Sequence, residues 1–322
     1  MNVAVVGAGS WGTALALLLA RNGHEVKLLG RDVQELASMA ATRENKRYLP
    51  GFDLPLNIEL EDLHASKLSA EMTILAVPSG ALSDVTAHLE GASGILVVAS
   101  KGLEPNSGRL LCDVVQEVCP LGSVGVLSGP NLAVEIARGI PTVAVAAFEE
   151  AEPAERVRTA FTCRSFRVSV SDDVVGVELA GALKNVLAIG AGMSDGLGFG
   201  DNTKGAFLSR GLMEMSRLGL ALGARMETFL GPAGVGDLFA TAASGLSRNY
   251  RVGQALGEGK TLAEAVASTG QVAEGVPTAH ATMALASRER VDMPVFAAVD
   301  AVIQGQLAPR EAVSMLMERR GA

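Results

Sequence analysis

Lys184 and Asn185 end the run Glu178-Leu-Ala-Gly-Ala-Leu-Lys-Asn185, and Val174, Val175, Val177, Leu179, Leu183, Val186 and Leu187 stand around them. This is the pattern of a helix that carries its apolar face throughout, so a lysine beside an amide is poorly placed for packing alone. Far upstream, Val3-Ala-Val-Val-Gly-Ala-Gly-Ser-Trp-Gly12 is a strand running into a glycine-rich turn. A dinucleotide-binding turn followed by such a lysine points to hydride transfer, with Lys184 as the proton acceptor.

A free lysine titrates near ~10.4, and bringing it to ~7–8 requires roughly 4 kcal/mol against the ammonium form. Partial burial and a second cation would supply this, and Lys101, in Ser100-Lys101-Gly102, is the candidate cation. Asp237, which ends Gly234-Val-Gly-Asp237, would oppose the shift if it paired directly with the lysine. It is therefore expected to orient the lysine or the substrate hydroxyls. Ser247-Arg248-Asn249 offers a hydroxyl, a guanidinium and an amide in succession, an arrangement suited to clamping an anion and equally suited to capping a helix. Arginine matches phosphate with two parallel charge-assisted bonds.

In Gly7-Ala-Gly-Ser-Trp-Gly12, a G-x-G-x-x-G between strand and helix, Gly7 permits the tight turn and Gly9 lets the backbone approach a pyrophosphate. Gly12 allows close helix-strand packing, and the helix N-terminus faces the phosphates. The second strand ends Leu28-Leu29-Gly30-Arg31-Asp32. A carboxylate at that tip would hold the ribose 2′-hydroxyl of NAD, whereas Arg31 suits the 2′-phosphate of NADP. The tip leans toward NADP, and Asp32 keeps NAD open. Val77-Pro78-Ser79, Ser100-Lys101-Gly102 and Ser128-Gly129-Pro130-Asn131 each follow a strand, where a doubly wound sheet lines its cofactor crevice.

The elements that position these residues alternate in the first half. Short apolar runs at Val3–Val6, Val26–Leu29, Thr73–Val77, Ile95–Ala99, Val124–Leu127, Thr142–Ala147 and Phe166–Val170 read as strands covered on both faces. Helical patterns at Trp11–Arg21, Val33–Thr42, Ala81–Leu89 and Leu110–Val118 lie between them. This order predicts a doubly wound, mostly parallel Rossmann-type sheet over residues 1–180. From there the patterns at Ala206–Leu222, Arg251–Leu256, Leu262–Thr269, Thr278–Ala286 and Pro294–Ile303 are helical, giving an all-helical second domain over 181–322.

Composition narrows the function. The 322 residues are 48% apolar and 19% charged, with a net charge of −8, so no general affinity for nucleic acid or anionic membrane is expected. Small anions must then be caught by local cations. Cys112, Cys119 and Cys163 lack C-x-x-C spacing and read as reduced thiols of a cytoplasmic protein. His24, His64, His88 and His280 are scattered, so no metal is expected. Met1 to Ala20 carries no charged side chain, but Gly7, Gly9, Ser10 and Gly12 break it and no basic region precedes it. Strand, turn and helix explain it better than a signal peptide or membrane span.

Taken together the motifs resemble the bacterial NAD(P)-dependent glycerol-3-phosphate dehydrogenase family over nearly the whole chain. The resemblance runs through GAGSWGTALA at the start, NKRYLPG at Asn45–Gly51, AVPS at Ala76–Ser79, SKGLE at Ser100–Glu104 and LSGPNLA at Leu127–Ala133. It continues in GVELAGALKNVLAI at Gly176–Ile189, GDNTKGA at Gly200–Ala206, GVGDL, LSRN and AEGV at Ala273–Val276. It implies reversible hydride transfer between NADP(H) or NAD(H) and dihydroxyacetone phosphate, supplying sn-glycerol 3-phosphate for glycerophospholipid synthesis. By the same resemblance Lys184 is the proton acceptor, and Lys101, Gly129, Asn131, Asp237, Ser247, Arg248 and Asn249 surround the substrate with it. Ser10, Trp11, Arg31, Tyr48, Lys101, Ala133, Arg248, Val272 and Glu274 would face the cofactor, beside the glycines of the turn. Asn131 departs from the family, which usually has serine there. A relative of the β-hydroxyacid or 6-phosphogluconate dehydrogenases and a non-catalytic nucleotide sensor are the alternatives. A homodimer is the default oligomer by base rates.

Overall fold

The computed structural model describes residues 1–66, 70–89, 93–270 and 272–318. The chain forms two compact units, Met1–Ser100 with Leu111–Val174, and Lys101–Leu110 with Val175–Ala322. Two features differ from the boundary expected at 180. The first unit ends where a long helix begins at Val174, just after the last strand ends at Ser171, and not inside that helix. In addition, the ten residues from Lys101 belong with the second unit, where Leu103 is fully buried in the core.

The first unit is an eight-stranded sheet. Its strands are β1 (Asn2–Val6), β2 (Glu25–Gly30), β3 (Ile58–Asp62), β4 (Met72–Leu75), β5 (Ile95–Val98), β6 (Ser123–Ser128), β7 (Thr142–Phe148) and β8 (Phe166–Ser171). They lie in the order β8-β7-β6-β5-β4-β1-β2-β3, all parallel except β6 against β7. The central strands β4 and β5 are buried at every residue, as continuous apolar runs require. β3 reads Ile-Glu-Leu-Glu-Asp and lies at an edge. Its alternating acids hide it as a strand but suit a position that must repel further pairing. Helix α1 (Ser10–Arg21) is buried from Gly12 to Ala20, so the uncharged N-terminal stretch is core. Helix α2 (Val33–Thr42) follows β2, and Glu44–Asn45 and Leu49–Asp53 form a small antiparallel ribbon.

The second unit is helical among the described residues and is built on α3 (Val174–Gly196), buried from Gly176 to Ser194. By length and composition α3 could cross a membrane, but here it is the core helix. Leu179, Leu183 and Leu187 share that core with Met215 of α4 (Asp201–Ala221), Leu238 of α5 (Asp237–Ala242) and Val252 of α6 (Arg248–Gly257). Ala279 of α7 (Gly275–Glu289) and Phe296 of α8 (Pro294–Ile303) complete it.

α3 and α6 approach to backbone contact. A Cβ on Gly192 would lie 2.0 Å from the Tyr250 carbonyl oxygen, and one on Gly196 would lie 2.3 Å from that of Gln254. In return, a Cβ on Gly253 would stand 1.9 Å from the Ile189 oxygen, and one on Gly257 2.5 Å from that of Met193. Each helix thus uses glycines four apart on one face. Gly253→Ala should therefore lower stability by ~3 kcal/mol or more, since the added methyl meets backbone that has no rotamer to yield. Gly205→Ala, on α4 with no neighbour within 4 Å of its Cβ, should raise stability by ~0.5–1 kcal/mol. Urea midpoints of the two variants check both signs.

Candidate active site

In the first unit, the turn between β1 and α1 uses its three glycines differently. Gly7 has φ +114° and a Cβ there would lie 2.6 Å from the Ala76 carbonyl oxygen, so no side chain fits. A Cβ on Gly12 would stand 1.8 Å from the Gly7 oxygen, so this glycine lets the helix close on the turn. A Cβ on Gly9 would meet no protein atom within 4 Å. Packing explains the first two glycines and leaves Gly9 to be explained by what approaches the backbone from outside. Gly9 is also the N-cap of α1 and brings no side-chain cap, so the first-turn N–H groups are left to an anion. The residues therefore fit a dinucleotide pyrophosphate.

Asn45, fully buried, clips a second segment to this turn. Its Nδ2 donates to the Ala8 oxygen at 2.9 Å and to Thr13 Oγ1 at 2.8 Å, and its Oδ1 accepts from Tyr48 N at 3.1 Å. Ser10 Oγ donates to the Tyr48 oxygen at 2.7 Å, and the Arg47 guanidinium lies 5.0 Å from the centre of the Tyr48 ring. Trp11 Nε1 donates to the Ala99 oxygen at 2.8 Å, fixing the indole beyond β5. At the tip of β2, Asp32 is the N-cap of α2, its Oδ1 accepting from Gln34 N and Glu35 N at 3.1 Å each. The exposed Arg31 has no such task. After β6, Gly129 has φ +146°, and Asn131 Nδ2 donates to the Val143 oxygen at 2.9 Å. Asn131 Oδ1 is buried with no hydrogen-bond partner among the described residues, so this side chain offers an acceptor. Ala133 opens the short helix that follows.

In the second unit, Asp237 begins α5 directly after a single π-helical turn, Pro232–Gly236. That turn brings the Asp237 carboxylate, 1% exposed, against Lys184, 5% exposed. Lys184 Nζ donates to Asp237 Oδ1 at 2.6 Å and to Thr241 Oγ1 at 2.5 Å. Lys101 Nζ donates to Asp237 Oδ2 at 2.7 Å. One buried carboxylate therefore lies between two ammonium groups, one on each oxygen. Burial brings the Lys184 amine down to about 8 and the nearby Lys101 charge adds to the lowering, while Asp237 acts in the opposite direction. Asp237, expected to orient the lysine or the substrate hydroxyls, pairs directly with the lysine and so opposes the shift, and desolvation outweighs it. An ammonium has three N–H donors. Asp237 and Thr241 take two and fix the direction of the third.

Ser247-Arg248-Asn249 divides its labour. Ser247 is the N-cap of α6 and its hydroxyl accepts from Tyr250 N at 3.2 Å. Asn249 Nδ2 donates to Asn185 Oδ1 at 2.9 Å, and its Oδ1 accepts from Gly275 N at 2.9 Å, so the amide ties α3, α6 and α7 together. Arg248 is left as the group for a ligand. Burial pushes its guanidinium below the usual value, against the charge of Glu274 and with that of Arg251. Glu274 is the N-cap of α7, and Val272 is 48% exposed just before it. Sequence reading missed Thr241, although it follows Asp237 by four residues on one helix and so must share its face. It also missed the clip formed by Asn45. Among the described residues no group of acids, histidines and cysteines is arranged to hold a metal.

The model for the NAD-dependent glycerol-3-phosphate dehydrogenase N-terminus matches residues 2–154, and that for the C-terminus of the same family matches residues 173–314. The glycerol-3-phosphate dehydrogenase [NAD(P)+] of Acidovorax sp. (strain JS42) is 45% identical, covering 99% of this chain and 98% of its own. That of Pseudoalteromonas translucida is 46% identical over 98% and 96%. The crystal structure of glycerol-3-phosphate dehydrogenase from Coxiella burnetii is similar with a TM-score of 0.95, 38% identity and 99% of each chain covered.

Gly9→Val should weaken binding of both NADPH and NADH roughly tenfold or more, because charge-assisted bonds from the turn's backbone are worth about 1.5–3 kcal/mol each. Its stability should change by less than ~0.5 kcal/mol, since no protein atom is met. Quenching of Trp11, the one tryptophan of the chain, measures the first, and thermal unfolding the second.

Proposed function

The chain belongs to the NAD-dependent glycerol-3-phosphate dehydrogenase family and is an NAD(P)-dependent oxidoreductase, and from that premise we propose which residues carry each step. The reaction interconverts dihydroxyacetone phosphate and sn-glycerol 3-phosphate. NAD(P)H, when bound, supplies the hydride that reaches the ketone carbon. Gly7, Gly9 and Gly12 shape the turn for the pyrophosphate. Lys184 gives its third N–H to the ketone oxygen and transfers that proton as the alcohol forms. In the oxidative direction the neutral amine takes the hydroxyl proton back. Asp237 and Thr241 aim the amine, and Lys101 keeps it easy to deprotonate. Arg248 holds the substrate phosphate with its guanidinium fork. Ser247, Asn249, Gly129 and Asn131 complete the substrate surroundings, Asn131 as an acceptor. Ser10, Trp11, Tyr48, Ala133, Val272 and Glu274 line the cofactor. The observation that carries this reading is the Lys184–Asp237–Lys101 arrangement, since a nucleotide sensor or a carboxylate-binding site has no need of it together with Arg248.

The sign of the pH dependence follows from an amine that titrates at about 8. Reduction of the ketone needs the ammonium, so its kcat should fall as pH rises through about 8; oxidation needs the neutral amine and should rise over the same interval. Lys101→Met removes a cation that lowers the Lys184 value and should move both inflections to higher pH. Lys184→Ala should reduce kcat by about 10²–10⁴-fold and remove the inflection. Rates that keep an inflection near 8 without Lys184 would assign the proton transfer elsewhere.

We further propose a preference for the 2′-phosphorylated cofactor. What supports it is that Asp32 spends its carboxylate on capping α2, leaving Arg31 as the polar group at the tip of β2. Arg31→Asp should then weaken NADPH by ~10-fold or more, a charge-assisted bond being worth about 1.5–3 kcal/mol, while NADH binding holds or improves. Equal dissociation constants before and after the change would remove Arg31 from the adenosine pocket.

A further inference from the structure

The second unit contains a buried-edge cluster to which the reaction assigns no task. The Tyr250 hydroxyl donates to Asp195 Oδ2 at 2.5 Å. Lys204 Nζ donates to both oxygens of the same carboxylate, at 3.1 and 2.9 Å, and lies 3.6 Å from Asp201. Asp195 is in the last turn of α3, Lys204 in the first turn of α4 and Tyr250 in the first turn of α6. Burial and the Asp195 hydrogen bond together hold the phenol up to about 12, so it stays a donor throughout the working range.

Tyr250 is two residues from Arg248 on the same turn, and its backbone N–H is the group that Ser247 caps. Its carbonyl oxygen is the atom against which Gly192 of α3 packs. The start of α6 is therefore fixed three times against α3: by the Asn249–Asn185 amide bond, at the phenol end by a charge-assisted bond, and at the backbone by glycine contact. Lys184 lies on α3 about two turns before Gly192, on the same rigid rod. Moving the first turn of α6 would move Arg248 relative to the Lys184 amine and leave the amine with its partners Asp237 and Thr241.

We infer that Tyr250, held by Asp195 and Lys204, is a positioning residue that sets the reach from the Lys184 amine to the Arg248 guanidinium, and so selects ketones whose phosphate stands at one distance from the carbonyl. The inference rests on the reading of Arg248 as the phosphate contact. Loss of the Tyr250 bond should then cost phosphate discrimination specifically, because misplacement by about 1 Å suffices to lose up to 10²-fold in rate.

The test compares kcat/KM for dihydroxyacetone phosphate with that for unphosphorylated dihydroxyacetone, in the full-length enzyme with NADPH. Tyr250→Phe and Asp195→Asn should each lower this ratio about tenfold, mainly through KM for the phosphorylated substrate. The pH inflection and the NADPH dissociation constant should stay in place. Arg248→Ala, in the same assay, should lower the ratio by about 10²-fold or more, the upper range for a bidentate charged contact. Thermal unfolding verifies that each variant is folded, and Tyr250→Phe, which removes one oxygen, is the milder of the two probes. An unchanged ratio in Tyr250→Phe and Asp195→Asn beside a lowered one in Arg248→Ala overturns the positioning role alone. Equal losses for both substrates overturn it too, since they mark a general disturbance. An unchanged ratio in Arg248→Ala overturns the phosphate reading itself.

Discussion

The second unit is arranged around one carboxylate, Asp237, held between two lysines. Two ammonium groups and one carboxylate leave a net positive charge in a place where Lys184 is 5% exposed, and no packing arrangement makes that cheap. A buried ion cluster of this kind is weak evidence for stability, and replacing it by apolar residues is often neutral or favourable. Its use lies in the balance it sets. With Asp237 alone beside it, Lys184 would be held as an ammonium; with burial and Lys101 alone, it would be stripped of its proton too readily. The opposing influences leave an amine that exchanges its proton at about 8.

That balance needs rigid supports. Lys184 rides on a helix buried along nineteen consecutive positions, so its backbone has no freedom to adjust. Asp237 is delivered by a π-helical turn in which Gly234 lies against the Phe229 backbone, where a Cβ would stand 2.1 Å from its carbonyl oxygen. Asn185, next to Lys184, bonds to Asn249, next to Arg248. The residues beside Lys184 and Arg248 thus carry the tie between the helices. The Ser-Arg-Asn run follows the same division, with a cap and an interhelical tie on either side of one ligand group.

Much of this is legible in the chain, and the misses have physical causes. Buried parallel strands advertise themselves because both faces must be apolar, as in Ile95–Val98. The Ile58–Asp62 strand is missed because an edge strand has one wet side and is protected by charge. The Ala151–Phe161 helix is hidden by Pro153 and its charged residues, and the boundary expected at 180 falls inside the long helix because the apolar pattern there runs on without a break past the crossing at Val174. Lys184 stands out since a cation on a helix with a continuous apolar face demands a partner. That Asp237 bonds the amine itself does not follow, because it comes from 53 residues away and its geometry depends on a turn that spacing alone does not reveal. Asn45 carries no composition signal at all; only contacts to Ala8, Thr13 and Tyr48 disclose its task.

The excursion of Lys101–Leu110 gives the molecule a particular genetic character. The chain leaves the first unit at the end of a strand, deposits Lys101 beside Asp237, buries Leu103, and returns at Leu111. The two halves are therefore not cassettes. Recombination at the one late crossing near Val174 would carry the lysine that tunes the amine away with the dinucleotide half, and hand the recipient helices another chain's neighbour for their carboxylate. A productive exchange would have to transfer ten residues in the opposite direction at the same time. The glycine-rich turn of the first unit and the lysine-carboxylate cluster of the second are for this reason inherited together, although each is built in its own unit.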